Sequence, residues 1–477
     1  MSNAADLIFT SATTLAEMIR GKQVSPTEVL DAYIRRIEAV NPRLNALVTL
    51  SLEQAREAAS ASEARIAKGE PLGPLEGVPV SIKDTIETAG VRTVSGTRLR
   101  EHHVPAVDAP VVARLKRAGA LMVGKTNVPE CAMDLRSENP VFGRTSNPFN
   151  LTRVPGGSSG GEASAIAAGC SAAGVGSDMG GSIRVPAHFC GIAGLKPTPG
   201  RVPGSGHFPG AAFGPFALGT SLGPMARRVE DLGLLLGVLA GFDPADPMSV
   251  PFGLRDYHKE KLHGLRVMFY TDDGVSPVTA ATKEAVRRAA GALAAAGADV
   301  IEQRPKGIER SHDLWNRFMA EPGMPGLFSL YQGREELMGP LVRAMSKMPP
   351  PVPPEQALDR YLRAWASRDK LRASLVGEMM EFPILLAPVA AIPAFAHGHR
   401  GQFDVDGELV DYLKAFSYSQ AYNLLGLPVT VVRCGTSPED LPIGVQVIGR
   451  PWDEELTLKA AAAIEAAMGE YQPPHLV

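Results

Sequence analysis

Three short stretches hold residue types that together could perform acyl transfer. Lys83 lies at the end of an apolar run in GVPVSIKDT, Ser158 lies in VPGGSSGGEAS, and Ser182 follows two glycines in GSDMGGSIRVPA. A serine hydroxyl is a weak nucleophile and attacks a carbonyl only when a base takes its proton. Lysine can be that base only when neutral, and burial lowers an amine's pKa toward working pH. Lys83, closing a buried-strand pattern, is placed for such a shift. The pair Gly180-Gly181 lets successive backbone N–H groups point into one small space, which suits a developing oxyanion. Taken singly, a Gly-Gly-Ser is an ordinary turn and a strand-end lysine is solvated. Their joint occurrence is what points to chemistry.

Two other patterns match in letters and fail in context. Gly119 to Thr126, GALMVGKT, fits the phosphate-loop string. Such a loop needs a strand before it and a helix after it. Here a helix pattern precedes, the interior reads Ala-Leu-Met-Val as a buried strand does, and Pro129 follows. Gly157 to Gly161, GSSGG, fits G-x-S-x-G and would make Ser159 the nucleophile of an α/β-hydrolase elbow. That elbow follows an apolar strand, whereas NPFNLTRVP is loop.

The elements around these residues can be read from periodicity. Ser25-Pro26-Thr27-Glu28 is a capping box with Pro at the first helical position, and the first forty residues read as two helices. Helices are expected over 52–68, 110–118 (with Gly119 as C-cap), 162–173, 229–239, 280–296 and 453–468. Strands are expected over 77–84, 120–124, 265–270, 382–388 and 427–432. Helix–strand alternation argues for an α/β fold with a mostly parallel sheet covered on both faces. Residues 143–224 are crowded with Gly, Ser and Pro and read as the loop-dense middle of the chain. The Met- and Pro-rich stretch 305–355, with MPPPVPP at 348–354, reads as an irregular or helical insert, equally a pocket wall, a lid or a surface excursion. No internal repeat or domain linker interrupts the 477 residues.

Composition narrows the setting. The net charge of −3 and a pI near 6.4 provide no basic field for nucleic acid or an anionic membrane. The longest apolar run, Phe382 to Ala396, contains three prolines and is shorter than the ~20 residues of a membrane span. The N-terminus lacks a signal-peptide pattern. Four scattered cysteines without a C-x-x-C pair suit neither a disulfide scaffold nor structural zinc, so the cytoplasm is the expected location.

The stretches bearing Lys83, Ser158 and Ser182 resemble the amidase signature family of serine hydrolases. The resemblance extends to GKTNVPE (124–130), FGRTSNPFN (142–150), FCGIAGLKPTPGRV (189–202), LGPMARRVEDL (222–232), NLLGLP (423–428) and LPIGVQVIGR (441–450). Ser158 and Ser182 are 24 residues apart, the separation the family shows between its two serines. It implies an α/β amidase signature fold in which helices cover both faces of a large mixed sheet. Residues 1–477 would form one such domain, with a variable insert around 305–380 near the substrate pocket. It further implies that Ser182 is acylated, that Ser158, after a cis Gly157–Ser158 peptide, relays the proton, and that Lys83 is the base. Backbone N–H groups of Met179, Gly180, Gly181 and Ser182 would form the oxyanion hole. Asp178 and Arg184 would pair to hold that loop, and Ser159 would support it. The scheme gives no role to a metal, a cofactor or any of the ten histidines.

The family motif fixes the machinery rather than the substrate. One branch supplies the glutaminase subunit of a tRNA-dependent amidotransferase. This chain departs from that branch in reading KDT for its usual KDN and in the longer, more apolar segment after Pro197. It looks closer to stand-alone amidases, including the fatty-acid-amide-hydrolase-like group. Phe208, Phe213 and Phe216, with Met-rich walls from 319–348, would suit an aryl or acyl chain or, equally, belong to the core, and Arg201 would either reach the substrate end of the site or serve a structural role. The expected partner is then a small-molecule amide, ester or aryl carbamate, without nucleic acid or a membrane span, and with a homo-oligomer left open.

Overall fold

The computed structural model describes residues 7–210 and 214–475; Phe213 lies outside the described residues. Eleven strands form one sheet: β1 (Leu47–Leu50), β2 (Pro79–Lys83), β3 (Leu121–Thr126), β4 (Ala173–Asp178), β5 (Ala193–Lys196), β6 (Ser221–Ala226), β7 (Arg266–Phe269), β8 (Asp299–Glu302), β9 (Ile384–Pro388), β10 (Val429–Thr436) and β11 (Pro442–Gly449). Their spatial order is β1-β3-β2-β4-β6-β5-β10-β11-β9-β7-β8. The sheet is mixed. Parallel pairing is confined to β2 with β3 and β4, and to β7 with β8 and β9. Between these wings, β4, β6, β5, β10, β11 and β9 pair antiparallel. The mostly parallel sheet expected from helix–strand alternation is thus corrected: the antiparallel centre joins β9 and β10, which apolar runs announce, to β4, β5, β6 and β11, which were not read as strands.

Side-chain alternation divides the core into two layers, one on each face of the sheet. Ile384 and Leu386 face one layer and Leu385 the other; Val447 and Ile448 divide in the same way. Helices Ala12–Arg20, Pro110–Arg117, Val229–Leu239, Ala280–Ala295 and Glu454–Met468 close the first layer. Helices Gly160–Ala167, Arg184–Cys190 and Ser417–Leu424, with the insert, close the second. The capping box forms as its spacing requires: Glu28 N–H donates to Ser25 Oγ (3.1 Å) and Ser25 N–H to Glu28 Oε2 (2.8 Å). Among the described residues no helix is long and apolar enough to cross a membrane.

The loop-dense reading of 143–224 is corrected by three buried strands, β4, β5 and β6. Their sequences AGVGSD, AGLK and SLGPMA are poor in branched residues because neighbours pass too close for them. A Cβ on Gly223 would lie 2.0 Å from the Leu195 carbonyl oxygen, and one on Gly176 2.8 Å from Met225 Sδ. The expected helix over 162–173 runs from Gly160 to Ala167, and β4 begins at Ala173. The insert is helical: Ser311–Trp315, a π-helical turn Asn316–Ala320, Glu321–Ser329, Pro340–Ser346 and a 25-residue helix Pro354–Glu378.

Candidate active site

β2 delivers Lys83 to the interior at the edge of the second layer. Its side chain is fully buried. Nζ lies 2.6 Å from Ser158 Oγ, 2.9 Å from Ser177 Oγ and 3.2 Å from the Ser177 carbonyl oxygen. Burial pushes the Lys83 ammonium down to about 7, against the upward pull of the Asp178 and Glu162 charges. Ser158, also buried, follows a cis Gly157–Ser158 peptide. Ser159 begins the helix Gly160–Ala167; its N–H donates to the Ser182 carbonyl (3.1 Å), joining the two serine-bearing loops backbone to backbone. Ser159 Oγ in turn donates to the Ser177 carbonyl (3.3 Å).

The loop Met179–Ser182 leaves the end of β4 and leads into the helix Arg184–Cys190. Asp178 organises it. Its carboxylate accepts from the N–H groups of Gly181 (2.8 Å), Ile183 (3.0 Å) and Arg184 (3.3 Å), and from Arg184 Nε (2.9 Å) and Nη2 (2.8 Å). Both partners of this ion pair are fully buried. Burial alone would raise the Asp178 carboxyl, but the Arg184 charge and these donors outweigh it and hold the group well below the usual carboxylate range. Arg184 spends its remaining donors on the Ser419 carbonyl (2.8 Å), Gln446 Oε1 (2.7 Å) and Asn423 Oδ1.

Both glycines of the loop are required by geometry. Gly181 has φ +114°, and a Cβ there would meet Ser419 and Val185 at 2.9 Å. A Cβ on Gly180 would lie 2.8 Å from the indole of Trp315, whose Nε1 donates to the Met179 carbonyl (3.1 Å). Since the Gly181 N–H is committed to Asp178, the N–H groups of Met179, Gly180 and Ser182 are those with no acceptor among the described residues. Met179, Gly180 and Ser182 are half-buried, whereas Gly181, Lys83 and Ser158 are buried. A substrate carbonyl arriving from outside would therefore meet the serine and the N–H groups first, with the buried amine behind them.

Other expected positions fall elsewhere. Arg201 is not brought to the site. Its guanidinium is fully buried, donates to Glu454 Oε2 from Nε (2.9 Å) and Nη2 (2.6 Å), and lies against Phe252 and Trp452. Phe208 lies 4.3 Å under the Arg100 guanidinium and packs with Cys131, Leu327 and Tyr331. Phe216 approaches Gly323 of the insert, and Met319 approaches Gly219. Lys125 of the phosphate-loop string is buried on β3 and donates to Ile86 O, Thr88 Oγ1 (2.9 Å) and Thr93 Oγ1 (3.2 Å), with no open loop around it. Sequence reasoning missed Ser177, Trp315 and His207. His207 Nε2 lies 2.8 Å from Ser177 Oγ, although no histidine had a place in the expected scheme.

Comparison with known proteins gives the family and the fold. The amidase family model matches residues 28–458. A glutamyl-tRNA(Gln) amidotransferase subunit from Carboxydothermus hydrogenoformans is 36% identical, with the match covering 96% of this chain and 97% of that protein. Among solved structures, a bacterial aryl acylamidase of the amidase signature family superposes with a TM-score of 0.84 at 30% identity, covering 96% of each chain. A protein from a vestigial complex that bears on the origins of an s-triazine catabolic enzyme gives 0.87 at 30% identity, covering 97% of this chain and all of that one. The serine loops, the buried lysine and the eleven-stranded sheet thus sit within a match that spans nearly the whole sequence, and the chain belongs to the amidase family as an amidase signature enzyme.

Proposed function

We propose that this enzyme hydrolyses carboxylic amides by two-step acyl transfer, with Ser182 as nucleophile, Ser158 as proton relay and Lys83 as base. The observation that carries the reading is the buried Lys83 Nζ at 2.6 Å from Ser158 Oγ, with its proton affinity lowered to about 7. Lys83 takes the Ser158 proton as Ser158 takes that of Ser182. Ser182 Oγ bonds to the substrate carbonyl carbon, whose oxygen is received by the free N–H groups of Met179, Gly180 and Ser182. The proton returns by the same route to the departing amine. Water then attacks the acyl-enzyme with the same pair as base. We propose further that residues 305–380 form the variable wall of this single catalytic unit.

Trp315 against the loop, and Met319 and Phe216 in the same apolar cluster as Met179, favour an aryl or acyl substrate over a zwitterion. Esters and aryl carbamates pass through the same kind of tetrahedral intermediate and belong to the same substrate class. A second reading, the glutaminase subunit of a tRNA-dependent amidotransferase, is favoured by relatives of that name matching nearly the full length. It would bring partner subunits and tRNA. The two readings part in a product assay on L-glutamine, acyl 4-nitroanilides and an aryl carbamate. Aniline or phenol release is expected; ammonia from glutamine alone would overturn the stand-alone reading.

A pH dependence follows from the lysine. The neutral amine is the active form, so kcat/KM should rise with an acidic limb centred near 7, the value to which burial pushes Lys83. Activity unchanged down to pH 5 would remove Lys83 as the base.

A further inference from the structure

We infer that His207 is a positioning residue that sets the direction of the hydrogen bonds around Lys83, leaving the amine's lone pair facing Ser158. The inference rests on the proposed role of Lys83 as base and adds to it.

His207 Nδ1 lies 2.7 Å from the Pro209 carbonyl oxygen, which can only accept, so Nδ1 carries the proton. In the neutral ring Nε2 is then an acceptor, and its neighbour at 2.8 Å is the Ser177 hydroxyl, which must donate to it. The Ser177 proton being so engaged, Ser177 Oγ can only accept from Lys83 Nζ at 2.9 Å. The Ser177 carbonyl, at 3.2 Å, can likewise only accept. A neutral lysine has two N–H bonds and one lone pair. Both N–H bonds are taken by Ser177, and the lone pair is left for the third neighbour, the Ser158 O–H at 2.6 Å. A general base needs this orientation. Without an acceptor at position 207, the Ser177 hydroxyl is free to donate to Lys83 and compete with Ser158 for the same lone pair.

The fold holds the imidazole in place for this task. His207 forms an isolated antiparallel bridge with Ile86, just beyond the end of β2, and Phe208 N–H donates to the Thr85 carbonyl (2.8 Å). The ring stays neutral because burial, and beside it the Lys125 charge, disfavour its protonated form, against the hydrogen bond to Pro209. The charged groups bearing on Lys83 are Asp178 at the end of β4 and Glu162 on the helix Gly160–Ala167. Neither is in contact with His207, so the ring acts through Ser177.

The test needs no knowledge of the natural substrate. The rate at which phenylmethanesulfonyl fluoride labels Ser182, followed by intact mass against pH, reports activation of the nucleophile. His207→Leu is expected to slow labelling about tenfold, a part of the roughly 10²–10⁴-fold that a positioned base supplies, with the inflection near 7 retained. His207→Gln, whose side-chain oxygen can still accept from Ser177, should stay within about threefold of the native rate. His207→Asn is polar but too short to reach Ser177, and should be as slow as the leucine variant. This second variant guards against a leucine protein that fails to fold. Native rates in folded His207→Leu or His207→Asn, or equal slowing in the glutamine variant, would overturn the inference. Lys83→Ala is run alongside. If it labels at the native rate, the role of Lys83 fails; if it is silent while the leucine and asparagine variants label normally, only the role of His207 fails.

Discussion

Replacing Ser182 by alanine is expected to lower kcat by at least about a thousandfold and to leave the melting temperature within a few degrees of the native value. In the proposed mechanism the acyl-enzyme requires an oxygen at this position to bond to the carbonyl carbon, and among the described residues the neighbouring hydroxyls are engaged elsewhere: Ser419, against Gly181, donates to the Val389 carbonyl (2.7 Å). Ser159 directs its hydroxyl to the Ser177 carbonyl, and Ser158 has Lys83 as its neighbour. What would remain is the contribution of oriented donors and substrate binding, which in serine hydrolases with a crippled nucleophile is about 10³–10⁴ over water. Stability should be little changed, because the Ser182 side chain is not part of the packed core and the backbone bond from Ser159 N–H to its carbonyl survives the substitution. The measurement is kcat on whichever substrate the product assay finds, with thermal melts of both proteins. Activity within tenfold of native would remove Ser182 as nucleophile.

Replacing Asp178 by alanine should give the largest loss of stability, about 3–5 kcal/mol, because it leaves the fully buried Arg184 guanidinium without its counter-charge. The same change orphans the N–H groups of Gly181 and Ile183, so activity should fall in whatever protein still folds. Asp178→Asn keeps one acceptor oxygen and should lie between native and alanine. Because folding lowers the proton affinity of this carboxyl, its stabilisation is intact at neutral pH and is lost progressively as the pH falls below about 5. Urea unfolding of the three proteins at pH 7 checks the order. A loss below about 1 kcal/mol for alanine would mean that Arg184 finds another partner.

Much of this arrangement was legible in the residues. The helix Val229–Leu239 was readable to its bounds, and that of Ala280–Ala295 to within one residue, since both carry periodic apolar positions. Lys83 stood out because a charged residue closing an apolar strand needs a reason. The strands β4, β5 and β6 were hidden by the feature that makes the site compact: small residues that let helices and neighbouring strands pass at contact distance. Helix Pro354–Glu378 was hidden otherwise. Its buried face, Ala364, Arg368, Leu371 and Leu375, keeps helical spacing, but an arginine interrupts the apolar series. Arg368 is held there by the Leu424 carbonyl (2.7 Å). Of the two readings open for Arg201 the structural one holds, and its partner Glu454, 253 residues away in the chain, could not be read from spacing. His207, alone in a Gly- and Pro-rich turn, offers no spacing at all; only the bridge to Ile86 brings it to Ser177.

The bond from the Trp315 indole to the Met179 carbonyl has a consequence for how such enzymes diversify. In a trans peptide the carbonyl and the following N–H point in opposite directions. A side chain that grips the Met179 oxygen therefore also aims the Gly180 N–H. Trp315 belongs to the insert, yet it touches the loop that leads to Ser182. A change that reshapes the insert around residue 315 must at the same stroke keep, or rebuild, the hand that steadies these donors.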